Sequence, residues 1–140
     1  MRLVQLIYVS DLVGEDEAVL APILKSSIQH NSQNGITGML LYSNGNFLQV
    51  LEGDQDAVQE TFTRICRDTR HHNTILLTEE DVTDRHFANW SMGFKHLGPE
   101  HVASFPNYAP FFHYGFDASA IKAKPGVALE MLKLFSQGML

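Results

Sequence analysis

The residues of this chain with the most chemical promise are polar side chains at positions whose neighbours call for apolar ones. Gln49 stands in the run GNFLQVLEGD, between Phe47, Leu48, Val50 and Leu51, with Gly45 and Gly53 at the ends. A short apolar run between turn residues reads as a strand covered on both faces. An amide buried there costs about 1–3 kcal/mol if nothing hydrogen-bonds it. Either the fold satisfies Gln49 with its own polar groups, or it holds something polar for Gln49 to touch. A helical stripe of Leu20, Leu24, Ser27 and Asn31 turns polar at its C-terminal end, with His30 beside it. Taken singly, Ser27 and Asn31 read as a capped helix end and Tyr8 as a half-buried core tyrosine. Taken together, Tyr8, Asn31 and Gln49 converge between helices and sheet. Two amides and a phenol in one apolar slot suit a planar heteroaromatic ligand with carbonyl and N–H edges. Arg64 and Arg70, with His71, could handle a phosphate at the rim.

Other chemistries find less support. His71, His72 and Cys66 crowd near one turn without a supporting carboxylate motif, so a metal site is not expected. Ser27 and His30 lack an orienting acid and a nucleophile elbow. There is no P-loop and no GxGxxG. The sixteen acidic residues scatter as a solvated surface and form no glycosidase-like pair.

The elements that must position these side chains follow from periodicity. Residues 3–10 form a strand with Leu6 and Tyr8 on one face and Ile7 and Val9 on the other. A helix follows the acidic stretch DLVGEDEA, starts near Ala21 and reaches about Asn31, and Asn34-Gly35 stops it. Residues 36–42 and 47–52 are strands joined by the hairpin turn SNGN. Asp54 can N-cap a second helix with the stripe Val58, Thr61, Phe62 and Ile65, which ends at DTRHHN. Residues 74–82 predict a fourth strand. Residues 90–94 predict a fifth, with Trp90, Met92 and Phe94 on one face. The order βαββαββ is that of an α+β, ferredoxin-like split arrangement: a five-stranded mixed sheet with two helices on one face. Strands apolar on both sides need a second cover. The tail offers it through PGVALEMLKLFSQ, a helix with the stripe Ala128, Met131, Leu132 and Phe135. The aromatic run of residues 105–116 before it either packs on the same face or forms an interface, and packing is the reading preferred here.

Whole-chain properties narrow the function. The 140 residues fit one domain, with 44% hydrophobic and 19% charged residues. A net charge of -6 argues against direct nucleic-acid binding and against an anionic membrane surface. The single cysteine, Cys66, rules out an intramolecular disulfide. The stretch MRLVQLIYVS is a poor signal peptide, and no apolar run nears the roughly 20 residues of a membrane span. A cytoplasmic protein is expected.

The stretches LIYVS, HNSQNGITGMLLY, GNFLQVLEG, RICRDTRHHN and FANWSMGF, in this order and spacing, closely resemble the BLUF domain, a blue-light sensor that binds flavin. The resemblance implies FAD, with FMN and riboflavin as alternatives, bound non-covalently between the two helices. It implies that Tyr8 donates an electron and a proton to the excited flavin. Gln49 then bridges this tyrosine and the flavin, and Asn31 binds the flavin's carbonyl edge. His30 flanks the ring, and Ser27 lies near the glutamine and tryptophan. Asp68 and Arg70 lie near the ribityl and phosphate chain, with Arg64 and His71 as further flavin-binding positions. Trp90 and Met92 match the pair that relays the signal. Residues 1–97 would be the flavin-binding domain, and 98–140 its C-terminal helical cap and output extension. The chain would be a photoreceptor without enzymatic turnover, a homo-oligomer that signals to a downstream protein. Two alternatives remain: a small ferredoxin-like hydrolase, and an interaction module without flavin. A yellow protein with flavin fine structure would leave only the photoreceptor.

Overall fold

The computed structural model describes residues 2–14, 16–112 and 116–137. Strand β1 (Leu3–Leu12) is followed by a 3-10 turn (Glu17–Val19), helix α1 (Leu20–Asn34), strands β2 (Thr37–Ser43) and β3 (Asn46–Asp54), helix α2 (Gln55–Arg67), and strands β4 (His71–Asp81) and β5 (Gly93–His96). The tail adds α3 (Pro99–Ser104), a second 3-10 segment (Pro106–Phe111), α4 (Ala118–Ala123) and α5 (Pro125–Ser136). The strands form one sheet in the order β4-β1-β3-β2-β5. Every pairing is antiparallel except β2 with β5, so the sheet is mixed as expected.

The hairpin between β2 and β3 turns at Asn44 and Gly45, whose φ values are 43° and 89°. Two successive positive φ values match the right-handed twist of the flanking strands. Gly35, at φ 67°, closes α1 as the left-handed C-cap. Asp54 stands at the N-cap of α2 as expected, but its side chain makes no capping bond.

The sheet is apolar on both faces because period-2 alternation feeds two cores. Leu6, Tyr8, Leu40, Leu51 and Val58 build the core beneath α1 and α2. Ile7, Val9, Met39, Leu48 and Val50 build the opposite one, covered by the tail. The α5 stripe behaves as its spacing requires: Ala128, Met131, Leu132 and Phe135 are all buried. From the aromatic run, Phe111 and Phe116 are buried in this second core, and Phe105, Tyr108 and Phe112 pack against it. Residues 113–115 of the run lie outside the described residues.

β1 runs on to Leu12 and α1 to Asn34, past the ends expected from the sequence, and two strand starts differ in ways that bear on the site. β4 begins at His71 rather than at residue 74, because His71 and His72 pair with Leu12 and Asp11 beyond an irregularity, and Asn73 accepts a φ of 54° there. β5 begins at Gly93 rather than at residue 90. The Ser91 carbonyl is engaged by the Asn31 side chain at 2.8 Å instead of a strand ladder. Without strand geometry the i, i+2 rule fails, and Trp90 and Met92 do not share a face. Trp90 packs against the core under the tail, and Met92 belongs to the core under α1 and α2.

Candidate functional site

One cleft lies between the sheet and the helices α1 and α2, and encloses about 510 Å³ of space including the solvent at its mouth. Its deep wall is made by Tyr8 of β1 and Gln49 of β3, which stand directly opposite each other in the antiparallel register. Such a pair places both side chains on one face within contact. The Tyr8 hydroxyl donates to Gln49 Oε1. Gln49 Nε2 donates to the thioether sulfur of Met92 at 3.2 Å. Both ends of the amide therefore have protein partners, while the side chain also lines the cleft. Burial pushes the Tyr8 phenol well above its ordinary pKa, so it keeps its proton.

Helix α1 contributes Ser27, His30 and Asn31 to the same cleft. Asn31 is 2% exposed and holds the segment before β5 through its bond to Ser91. The His30 ring contacts Thr61 Oγ1 at 3.0 Å and so bridges the two helices. Thr61 gives its own proton to the Ala57 carbonyl, so it accepts from His30, and His30 carries its proton on Nε2. Burial, followed by the charge of Arg64, lowers the His30 pKa.

The mouth is charged. Arg64 of α2 lines the cleft and also an outer groove shared with Glu60, Arg67 and Asp68. Past α2, Arg70 grips Asp68 in a fork, with Nη2 to Oδ2 at 2.6 Å and Nε to Oδ1 at 3.0 Å. This bond holds the Asp68 carboxyl below its usual range. The guanidinium also reaches Ser26 of α1 at 3.4 Å. His71 is buried, bonds Ser10 Oγ at 3.0 Å, and lies against the Phe47 ring with centroids 4.7 Å apart. Burial lowers its pKa.

Thus the structure places Tyr8, Ser27, His30, Asn31, Gln49, Arg64, Asp68, Arg70 and His71 around one cleft. Met92 reaches it through Gln49, and Trp90 lies on the other side of the sheet. Sequence reading missed Thr61 and Ser26, although Thr61 interrupts an apolar stripe as Ser27 and Asn31 do.

It also missed a polar clamp behind the cleft. Glu52 is fully buried and accepts from Gln5 Nε2 at 2.9 Å, from the His86 backbone N–H at 3.0 Å and from that of Phe87 at 2.8 Å. Arg85 donates to the carbonyls of Glu52 and Gly35, each at 2.8 Å. The clamp fixes the start of the segment that leads to Trp90 and Met92. Its signal was a carboxylate inside the run VLEG, where both strand faces are apolar.

Neutral amides and hydroxyls lie deep, and charges lie at the mouth. That gradient fits a planar uncharged ring with a polar edge and an anionic tail. A family model described as sensors of blue light using FAD matches residues 3–93. Photoactivated adenylate cyclase subunit beta of Euglena longa is 34% identical over 88 residues, 62% of this chain and 10% of that protein. The blue light- and temperature-regulated antirepressor BluF of Escherichia coli K12 is 33% identical over 92 residues, 64% of this chain and 23% of that protein. The chain thus spans a tenth to a quarter of these relatives. The dark-state structure of the BLUF protein BlrB superposes with a TM-score of 0.70 at 32% identity, covering 78% of this chain and 83% of the other.

Proposed function

This chain belongs to the BLUF family, the sensors of blue light using FAD, and from that premise we propose that it is a photoreceptor module whose Tyr8–Gln49–Met92 line converts light into movement before β5. The family binds flavin. FAD is the flavin proposed here, as in the family's description, and Asp68 and Arg70, with Arg64 beyond them, are charges at the mouth of the cleft that suit a phosphate-bearing tail, which FMN also has. Asn31 would hold the polar edge of the ring, Ser27 and His30 its flanks, and His71 the end nearest the charged mouth. Bound flavin would supply the blue absorption and an excited-state electron acceptor.

The chain's own contribution is a proton and an amide. Burial keeps the Tyr8 phenol protonated, and its hydroxyl already points at Gln49. Were the Tyr8 phenol to give its electron and its proton to excited flavin, the Tyr8 oxygen would accept where it now donates, reversing what the Gln49 amide meets at its carbonyl end. An amide has two inequivalent ends, so rotating or tautomerising it exchanges donor for acceptor. Its other end then loses or remakes the bond to Met92. The observation that carries this reading is that one buried amide joins Tyr8 to Met92 on the wall of the cleft.

Residues 1–97 would then be the sensing unit, and residues 98–140 the cap that receives the signal. The output would pass to a homo-oligomer or a downstream protein in the cytoplasm. The matched region is a sensory module rather than an enzyme, and among the described residues no helix is long and apolar enough to cross a membrane. A dark-minus-light absorption spectrum tests the function, and chromatography of the cofactor released by denaturation identifies the flavin. A reversible red shift with released FAD is expected. A colourless protein after expression with flavin supplied would overturn the reading.

A further inference from the structure

Ser10 lies two residues beyond Tyr8 on the same face of β1 and is buried. It does not line the cleft, whereas His71 does. Ser10 Oγ and His71 Nδ1 are 3.0 Å apart. His71 is held in three further ways. Its backbone N–H donates to the Asp68 carbonyl at 3.1 Å, the residue pairs with Leu12 of β1, and the Phe47 ring packs on the imidazole.

Burial lowers the His71 pKa, so the ring is neutral at pH 7 and carries one proton. The contact with Ser10 decides which nitrogen holds it. A serine hydroxyl has one proton to give. Among the described residues, Ser10 Oγ meets no acceptor other than His71 Nδ1. If Nδ1 carried the proton it would donate to Ser10, and the buried serine proton would be left without an acceptor, which is unfavourable. Ser10 therefore donates to Nδ1, and the His71 proton sits on Nε2.

Nε2 has no hydrogen-bond partner among the described residues, and no side-chain nitrogen or oxygen that is shut away from solvent there lacks one. Nε2 thus reaches accessible space, and the space that His71 lines is the cleft. An N–H donor stands there with nothing in the protein to receive it.

We propose that Ser10 is a positioning residue, which fixes the tautomer of His71 so that Nε2–H donates to an oxygen of the bound flavin. The inference rests on the flavin reading above and adds to it a residue that touches His71 and not the cleft.

Nitrogen-15 correlation spectra of the imidazole groups in the flavin-loaded full chain test it. A pyridine-like Nδ1 and a pyrrole-like Nε2 are expected for His71. The parent spectrum decides the tautomer even where Ser10→Ala does not fold. Ser10→Ala should move both nitrogens towards the values of exchanging tautomers and raise the flavin dissociation constant about three- to tenfold, the loss of one hydrogen bond. Ser10→Thr keeps the hydroxyl and should restore both. Affinities for lumiflavin, which lacks the ribityl chain, for riboflavin and for FMN identify the oxygen. A loss with all three assigns a ring carbonyl, a loss that begins with riboflavin a ribityl hydroxyl, and a loss with FMN alone a phosphate oxygen. A flavin-bound protein with the proton on His71 Nδ1 overturns this inference alone, as does a Ser10→Ala protein with unchanged spectrum and affinity. A protein that binds no flavin overturns the photoreceptor reading and this inference with it.

Discussion

Gln49 and Met92 are joined by a hydrogen bond from the amide nitrogen to the thioether sulfur, 3.2 Å long and buried between sheet and helices. Thioether sulfur is a weak acceptor, so this is the easier of the amide's two bonds to exchange. The bond to Tyr8 occupies the other end of the same group. Movement at one end is thereby tied to the packing of Met92, and interiors leave few voids in which a displaced side chain could settle elsewhere.

Replacing Gln49 by Leu should abolish the light-induced red shift and leave flavin bound, since bulk is retained and the switchable amide is gone. Tyr8→Phe should do the same by removing the transferable proton. The Leu variant also strands the Tyr8 hydroxyl, at a cost of about 1–3 kcal/mol. Difference spectra and thermal melts measure the two effects, and a normal red shift in either variant would contradict the mechanism.

Met92→Ala should keep the red shift and lose the light-dependent change beyond β5. Trp90 should behave differently, because it packs under the tail. Trp90→Ala should loosen residues 116–137 in dark and light alike. Hydrogen exchange in both states separates the two. Equal light-minus-dark differences in the parent and in Met92→Ala would remove Met92 from the path.

Glu52→Ala should lower stability by about 1–3 kcal/mol for each buried donor it leaves unpaired. Gln5 and Phe87 are the most buried of these. Glu52→Gln should cost less, since one carbonyl oxygen can still accept. Denaturant titration checks the order. A Glu52→Ala protein as stable as the parent would show that the clamp does not hold the segment before β5.

Stability should fall as pH drops below about 6.5. Burial lowers the pKa of both His71 and His30 relative to the unfolded chain. The unfolded state then binds more protons than the folded one at mildly acid pH. The contribution is complete above the unfolded value and is lost towards the lower folded one. Asp68 and Arg70 face His71 with opposite effects, and Arg64 and Glu60 face His30. His71→Gln should flatten the melting-temperature profile between about pH 7 and 5. An unchanged slope would exclude His71 as a source.

Much of this protein was legible along the chain because it rests on local rules. The alternation of Leu6 and Tyr8 with Ile7 and Val9 assigns each side chain to a sheet face through the pleat alone. Asn44-Gly45 turns a hairpin because of its own backbone preferences, and the α5 stripe needs only 3.6-residue periodicity. The polar interruptions at Asn31 and Gln49 marked the cleft because a buried amide must find a partner. Tertiary structure decided what depends on residues far apart. Asn31 takes the Ser91 carbonyl across sixty positions, and that bond turns Trp90 and Met92 to opposite sides of the sheet. Glu52 meets donors thirty-four and thirty-five residues later, and Gln5 forty-seven earlier. No local window contains both members of such a pair, so their geometry exists only once the sheet has brought them together.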